Sequence, residues 1–253
     1  MARKPPKKAK PRCRRPPKRS KAAPHPWRLC PSGEHWVSEH PRRVKVSKKN
    51  PTGITSVEGH CRANRSHKDE IYEQEMHEIA GQNFSSLNGP PKTDDLGFDD
   101  GNKYDSLIRG WTKYWNDIFK PAEPLDPDMV KALIATESSF NAGSKIGKGD
   151  VARGLMQVRD TTLKILSDEC GELRDHLLNV GQKDANDPNL NIAAGTRWLF
   201  RKRETATARL KRQASWEEAV EEYKAYLQKR LSGKKYNKKP MDDLREYYRR
   251  LKK

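Results

Sequence analysis

The spacing of apolar residues changes character along this chain. From residue 104 onward it keeps a helical period. Over 104–119, Leu107, Ile108, Trp111, Tyr114, Trp115 and Ile118 fall on one broad face. The next stripe is Val130, Leu133 and Ile134, behind an Asp126 cap, Pro127 at the first helical position and Asp128 in the first turn. Short helices are expected over 161–169 and 171–180. A helix opening at Asp187 and Pro188 puts Ile192, Gly195, Thr196 and Leu199 on one face. Another, from Ser215, turns Trp216, Ala219, Val220, Tyr223 and Leu227 inward and Glu217, Glu218, Glu221 and Glu222 outward. A basic amphipathic helix ends the chain. The pattern predicts a mainly α fold: an all-helical domain over 104–230 and a basic C-terminal helix within 231–253.

Upstream the period breaks down. Residues 27–70 hold short β-type runs at 35–39, 43–47 and 54–59, separated by Gly, Pro and Asn. They predict a small β-rich module of three strands with a thin core. Residues 71–103 begin with a polar helical piece and continue into a Pro-, Gly- and Asp-marked loop, read as a linker. Residues 1–26, rich in Lys, Arg and Pro, have too few apolar groups for a core and are expected to form a disordered tail.

Composition sharpens this division. The 253 residues carry a formal net charge of +18. Residues 1–29 contribute +12 and residues 228–253 contribute +8, which leaves the middle at −2. The basic ends suit an anionic wall polymer, nucleic acid, acidic lipid or a docking partner. No apolar run reaches the roughly 20 residues needed to span a membrane, and the basic N-terminus is not followed by the apolar stretch of a secretory signal. Four cysteines, Cys13, Cys30, Cys61 and Cys170, are too scattered to suggest a disulfide framework. A thin β-module could instead be braced by zinc, with Cys30, His35, His60 and Cys61 as the candidate ligands and His40 and His67 nearby. No C-x-x-C spacing supports such a site. Ordinary surface histidines are the simpler reading.

Candidate chemistry centres on Glu137, seven positions after Val130 and on the same buried stripe. A carboxyl facing a core is held in its neutral form and can serve as a general acid; a frayed helix end would leave it solvated. Four segments accompany it in order: "ESSF" at 137–140, "GLMQV" at 154–158, "DPNLNIAAGTRWL" at 187–199 and "EEYKAYL" at 221–227. Together they resemble the soluble lytic transglycosylases, whose fold is lysozyme-like, over about residues 104–230.

The resemblance implies peptidoglycan glycan strands as substrate, cleavage of the MurNAc–GlcNAc β-1,4 bond, 1,6-anhydro-muramyl products and no cofactor. It implies Glu137 as acid then base, with Ser138, Gly154, Met156, Gln157 and Tyr223 around the sugar. On the same reading the Tyr223 hydroxyl would orient Glu137. Departures stand at Lys224, where the family commonly has Asn, and at Arg159 and Asp160 after "GLMQ". Lys145, Lys148 and Arg153 could meet substrate carboxylates.

Two other readings remain at this stage. A hydrolytic muramidase of the goose-type lysozyme kind would need a second carboxylate, with Asp150, Asp160 and Asp168 available. An inactive scaffold would bind wall or nucleic acid through its basic ends. The place of action implied by the resemblance is the periplasm or cell wall. Without a recognisable leader, delivery by a phage particle or secretion apparatus is expected.

Overall fold

The computed structural model describes residues 27–65, 68–173 and 175–253; the tail expected over 1–26, and His67, lie outside them. Helices α1 (Glu73–Asn83), α2 (Asp105–Phe119), α3 (Pro127–Ser138), α4 (Asp160–Leu166), α5 (Pro188–Leu210), α6 (Trp216–Tyr223), α7 (Leu227–Leu231) and α8 (Lys239–Leu251) carry the core. The fold is mainly α, as the apolar period predicts. At its centre lies α5, which starts where the Asp187 side chain accepts from the Leu190 N–H at 3.0 Å. Every residue from Asn189 to Phe200 is buried, the mark of an interior helix. Helices α1, α2, α4 and α6 pack on it, while α3 packs on α2 and α8.

The core extends beyond the span read from periodicity. In the segment expected as a linker, α1 buries Met76 and Ile79, and Phe84 stands edge-on to Trp111 with ring centroids 5.2 Å apart. Strand β5 (Glu70–Tyr72) pairs in parallel with β9 (Leu177–Asn179), Glu70 opposite Leu177. The helix expected over 171–180 is therefore replaced by a strand. Leu177 and Leu178 are consecutive and both fully buried, and so short an apolar run fits a doubly covered strand as well as a helix.

The β-module also differs from expectation. Strands β1 (Glu34–Val37) and β4 (His60–Ala63) pair antiparallel, as do β2 (His40–Arg43) and β3 (Ile54–Val57). Val37 faces His60 and His40 faces Val57, so both pairs share one register and form a single two-stranded ribbon. It turns at Lys48–Lys49, where Ser47 and Asn50 exchange backbone hydrogen bonds of 3.1 and 3.0 Å.

A Cys30–Cys61 disulfide fastens the base of this ribbon. That corrects the expectation of unbridged cysteines, and it removes Cys30 and Cys61 as thiolate ligands for zinc. His35 Nδ1 lies 2.6 Å from Asn64 Oδ1, and His60 Nδ1 lies 2.9 Å from the Glu58 carbonyl. Among the described residues no group of three or more His, Cys, Asp or Glu is arranged for a metal. Buried Arg28 ties the ribbon to the helices, donating to Glu75 at 2.6 Å and to Asp69.

The C-terminal helix is part of the same body. Met241, Leu244 and Leu251 of α8 are buried. Lys252 Nζ lies 2.5 Å from Asp126 and 2.8 Å from Asp128. The Tyr248 hydroxyl donates to Asp126 at 2.9 Å.

Candidate active site

Glu137 occupies the last turn of α3. Asp126 starts that helix by accepting from the Asp128 N–H at 3.0 Å, and Ser139 ends it in a left-handed conformation at φ 52°. The helix buries Met129 through Ala135, which brings the Glu137 side chain to the wall of a cleft with 16 % of its surface exposed. Its Oε1 accepts from Lys224 Nζ at 2.5 Å. Burial pushes the Glu137 pKa up from the ordinary 4.5, while the Lys224 ammonium and then Arg159 pull it back down.

Lys224 reaches Glu137 because α6 stops abruptly. Ala225 adopts φ 58°. Its N–H bonds to the Glu222 carbonyl at 3.2 Å, and the Tyr226 N–H bonds to the Glu221 carbonyl at 2.7 Å. This is a Schellman closure with alanine where glycine is usual. The continuous helix expected over 215–230 is thus two helices. Glu221 and Glu222, expected outside, are buried beneath Arg230 and Arg209.

Facing α3, residues 154–157 form a loop held from three sides. Ser138 Oγ donates to the Leu155 carbonyl at 2.8 Å. Asn191 Oδ1 accepts from the Met156 N–H at 2.8 Å, and the Tyr223 hydroxyl donates to the Met156 carbonyl at 2.6 Å. Gly154 has φ 69°, and a Cβ there would lie 2.5 Å from Asn191 Nδ2. Gly195 likewise admits Met156, whose Sδ would be 2.5 Å from an added Cβ. The loop presents Gln157 to the cleft. Gln157 Nε2 donates to the Gly154 carbonyl at 2.8 Å, and its buried Oε1 has no partner among the described residues.

The cleft has a volume of about 410 Å³. Its walls come from Glu137 of α3, Gln157, Thr162 of α4, Trp198 of α5, the residues 223–226 that end α6, and Pro240 of α8. Along one side runs an antiparallel sheet of β6 (Lys145–Ile146), β7 (Ala152–Arg153) and β8 (Val158–Arg159), which contributes Ile146, Ala152, Val158 and Arg159. Glu137 is the one carboxylate lining it among the described residues. A family model described as a transglycosylase SLT domain matches residues 118–244, half of the chain. The chain belongs to this family. No solved structure matches it.

In this SLT domain the residues singled out from sequence divide into two groups. Glu137, Gln157 and Tyr223 line the cleft; Ser138, Gly154 and Met156 lie behind its wall, where they fix the loop. The Tyr223 hydroxyl bonds to a backbone carbonyl of that loop, so it does not orient Glu137 as expected. The three other acids considered lie outside the cleft lining. Asp150 accepts from the Thr161 N–H and hydroxyl at 2.9 and 3.0 Å, which with Arg159 holds its carboxyl below the ordinary range. Asp160 is held low chiefly by a two-pronged hydrogen bond from Arg153, at 2.6 and 3.1 Å. Asp168 accepts from the Cys170 N–H at 2.9 Å. Arg153 is therefore committed to Asp160, and Lys145 and Lys148 are not in the lining.

Sequence reasoning missed Trp198, Tyr226 and the Lys224–Glu137 contact. The one available signal was Lys224 itself, a cation standing beside an inward-facing tyrosine where the family commonly has a neutral amide.

Proposed function

We propose that this SLT domain cleaves the β-1,4 bond between N-acetylmuramic acid and N-acetylglucosamine in peptidoglycan, leaving a 1,6-anhydro-muramyl end. The observation that carries this reading is a cleft lined, among the described residues, by a single carboxylate, Glu137, whose proton affinity is raised by burial. Breaking a glycosidic bond requires a proton on the departing oxygen. Glu137 gives that proton as the C1–O4 bond breaks. The muramyl C6 hydroxyl then bonds to C1 and returns its proton to the Glu137 carboxylate. No water is consumed, and the carboxyl ends as it began. An attacking group within the same sugar ring gains its rate from proximity, so the protein need not activate a separate nucleophile.

Gln157 Oε1 is suited to accept from a substrate hydroxyl or amide N–H, since a buried acceptor without a partner gains most from one. Exposed Ile146 and the ring of Trp198 offer apolar surface to sugar faces. Among the described residues no helix is long and apolar enough to cross a membrane.

Mass spectrometry of fragments released from purified peptidoglycan tests the reading. Anhydro-ended fragments are expected from the unaltered protein, and a loss of about 10²-fold or more in release from Glu137→Gln, a typical contribution of a general acid or base. Reducing-end fragments would replace this reading with hydrolysis. Equal release from both proteins would remove Glu137 from the chemistry.

A further inference from the structure

The Lys224–Glu137 contact is unusual in its position. Both side chains are largely withdrawn from water, with 6 % and 16 % of their surfaces exposed, and Nζ stands 2.5 Å from Oε1. Glu137 is the sole acceptor of Lys224 among the described residues. The Schellman closure at Ala225 sets the backbone of Lys224, so the ammonium is aimed at the carboxyl by the fold. Other groups around Glu137 are few. Arg159 approaches from β8 and is partly engaged by Asp150 at 3.4 Å; Tyr223 and Tyr226 flank Lys224. The parts of α4, α5 and α8 that line the cleft contribute Thr162, Trp198 and Pro240, none of them charged.

We propose that Lys224 is a positioning residue for the acid–base carboxyl: its ammonium favours the charged form of Glu137 and stabilises the negative charge that returns to Glu137 as the leaving oxygen is protonated. The inference rests on the reading of Glu137 given above. Two opposed consequences follow from one charge. A neighbouring cation favours the carboxylate, so a smaller fraction of the enzyme carries the proton that starts the reaction. The same cation makes the protonated carboxyl a stronger acid, so each molecule that carries the proton transfers it more readily. An uncharged amide in this place would reverse both effects. Lys224 thus exchanges activity at higher pH for a faster reaction on the acid side. The proton that starts each cycle is taken from solvent once, and the C6 hydroxyl replaces it at the end.

The test is the pH dependence of anhydro-fragment release by the unaltered protein, Lys224→Asn, Lys224→Met and Lys224→Arg, with Glu137→Gln in parallel. The Asn and Met variants are expected to move the alkaline limb upward by about 1–3 pH units, the range an adjacent opposite charge imposes. They should also show a lower plateau on the acid side, so their profiles cross that of the unaltered protein. Lys224→Arg, which keeps the charge, is expected to keep the limb. A profile lowered uniformly without displacement, or an Arg variant displaced as far as Asn, would overturn the proposal.

If Glu137→Gln is silent while the Asn and Met limbs stay in place, only the role of Lys224 falls. If Glu137→Gln remains active, the reading of Glu137 falls with it. Should the variants fail to fold, the unaltered protein still decides by NMR. The Lys224 Nζ resonance should move as the Glu137 carboxyl takes up its proton, and a Lys224 signal indifferent to that event would refute the pairing.

Discussion

Tyr223 illustrates how residues serve this cleft from behind it. Its ring lines the site, yet its hydroxyl is spent on the Met156 carbonyl at 2.6 Å. Tyr223→Phe leaves that carbonyl without its donor, at a cost of about 1–3 kcal/mol. Denaturant melts should register this loss, and fragment release should slow with product identity unchanged; a variant as stable as the parent would show that the bond contributes nothing. Glu137 was legible because its stripe is local, four helical positions seen in one segment. Its partner was not, since Lys224 lies 87 positions away and no spacing rule connects the two. The same holds for Ser138 and Tyr223, both of which bond to backbone carbonyls of the 154–157 loop. A backbone acceptor leaves no trace in the identity of the residue that carries it.

Helix starts were the most readable elements, because a cap is a short-range arrangement of a few side chains. Asp126 and Asp187 each accept the backbone N–H expected of a cap, and the structure adds Ser215 as a third. At α6 the box is complete, with Glu218 accepting in return from the Ser215 N–H at 3.0 Å. Hydrogen bonds from Arg212 and that N–H hold the Glu218 carboxyl down to about 2, from an ordinary 4.5. The stabilisation is therefore complete above about pH 4.5 and fades as the pH falls through about 2. Glu218→Gln should lose less stability than the parent across that interval, measured by chemical denaturation at stepped pH; parallel curves would contradict the linkage. Helix ends and short strands were harder to read. Ala225 closes α6 without the glycine that would have announced it, and β9 is specified by its pairing with β5, more than a hundred residues upstream.

For the molecule as a whole, charge proved a poor guide to boundaries. The basic C-terminal stretch reads as a separate appendage, yet Lys252 and Tyr248 close on the acidic start of α3 and Pro240 forms part of the cleft wall. The helix that presents Glu137 is thus clamped at its far end by the last residues of the chain. Removing 239–253 exposes the face that covers Met241, Leu244 and Leu251, each contributing about 1.5–3 kcal/mol when buried. The shortened chain should melt at a lower temperature and release fewer fragments; undiminished activity would mean that α3 stands without its clamp.

The Cys30–Cys61 bond sets a condition of time and place on the ribbon it fastens. Such bonds persist in oxidising surroundings and are kept open in a reducing cytosol. While the chain remains among thiol reductants, the base of the ribbon is held without a covalent link, by Arg28 and its carboxylate partners and by the Asn64 side chain between His35 and the Lys68 carbonyl. Closure of the bond needs an oxidant to take the two hydrogens that the thiols give up, so a fastened ribbon marks a molecule that has met oxidising surroundings.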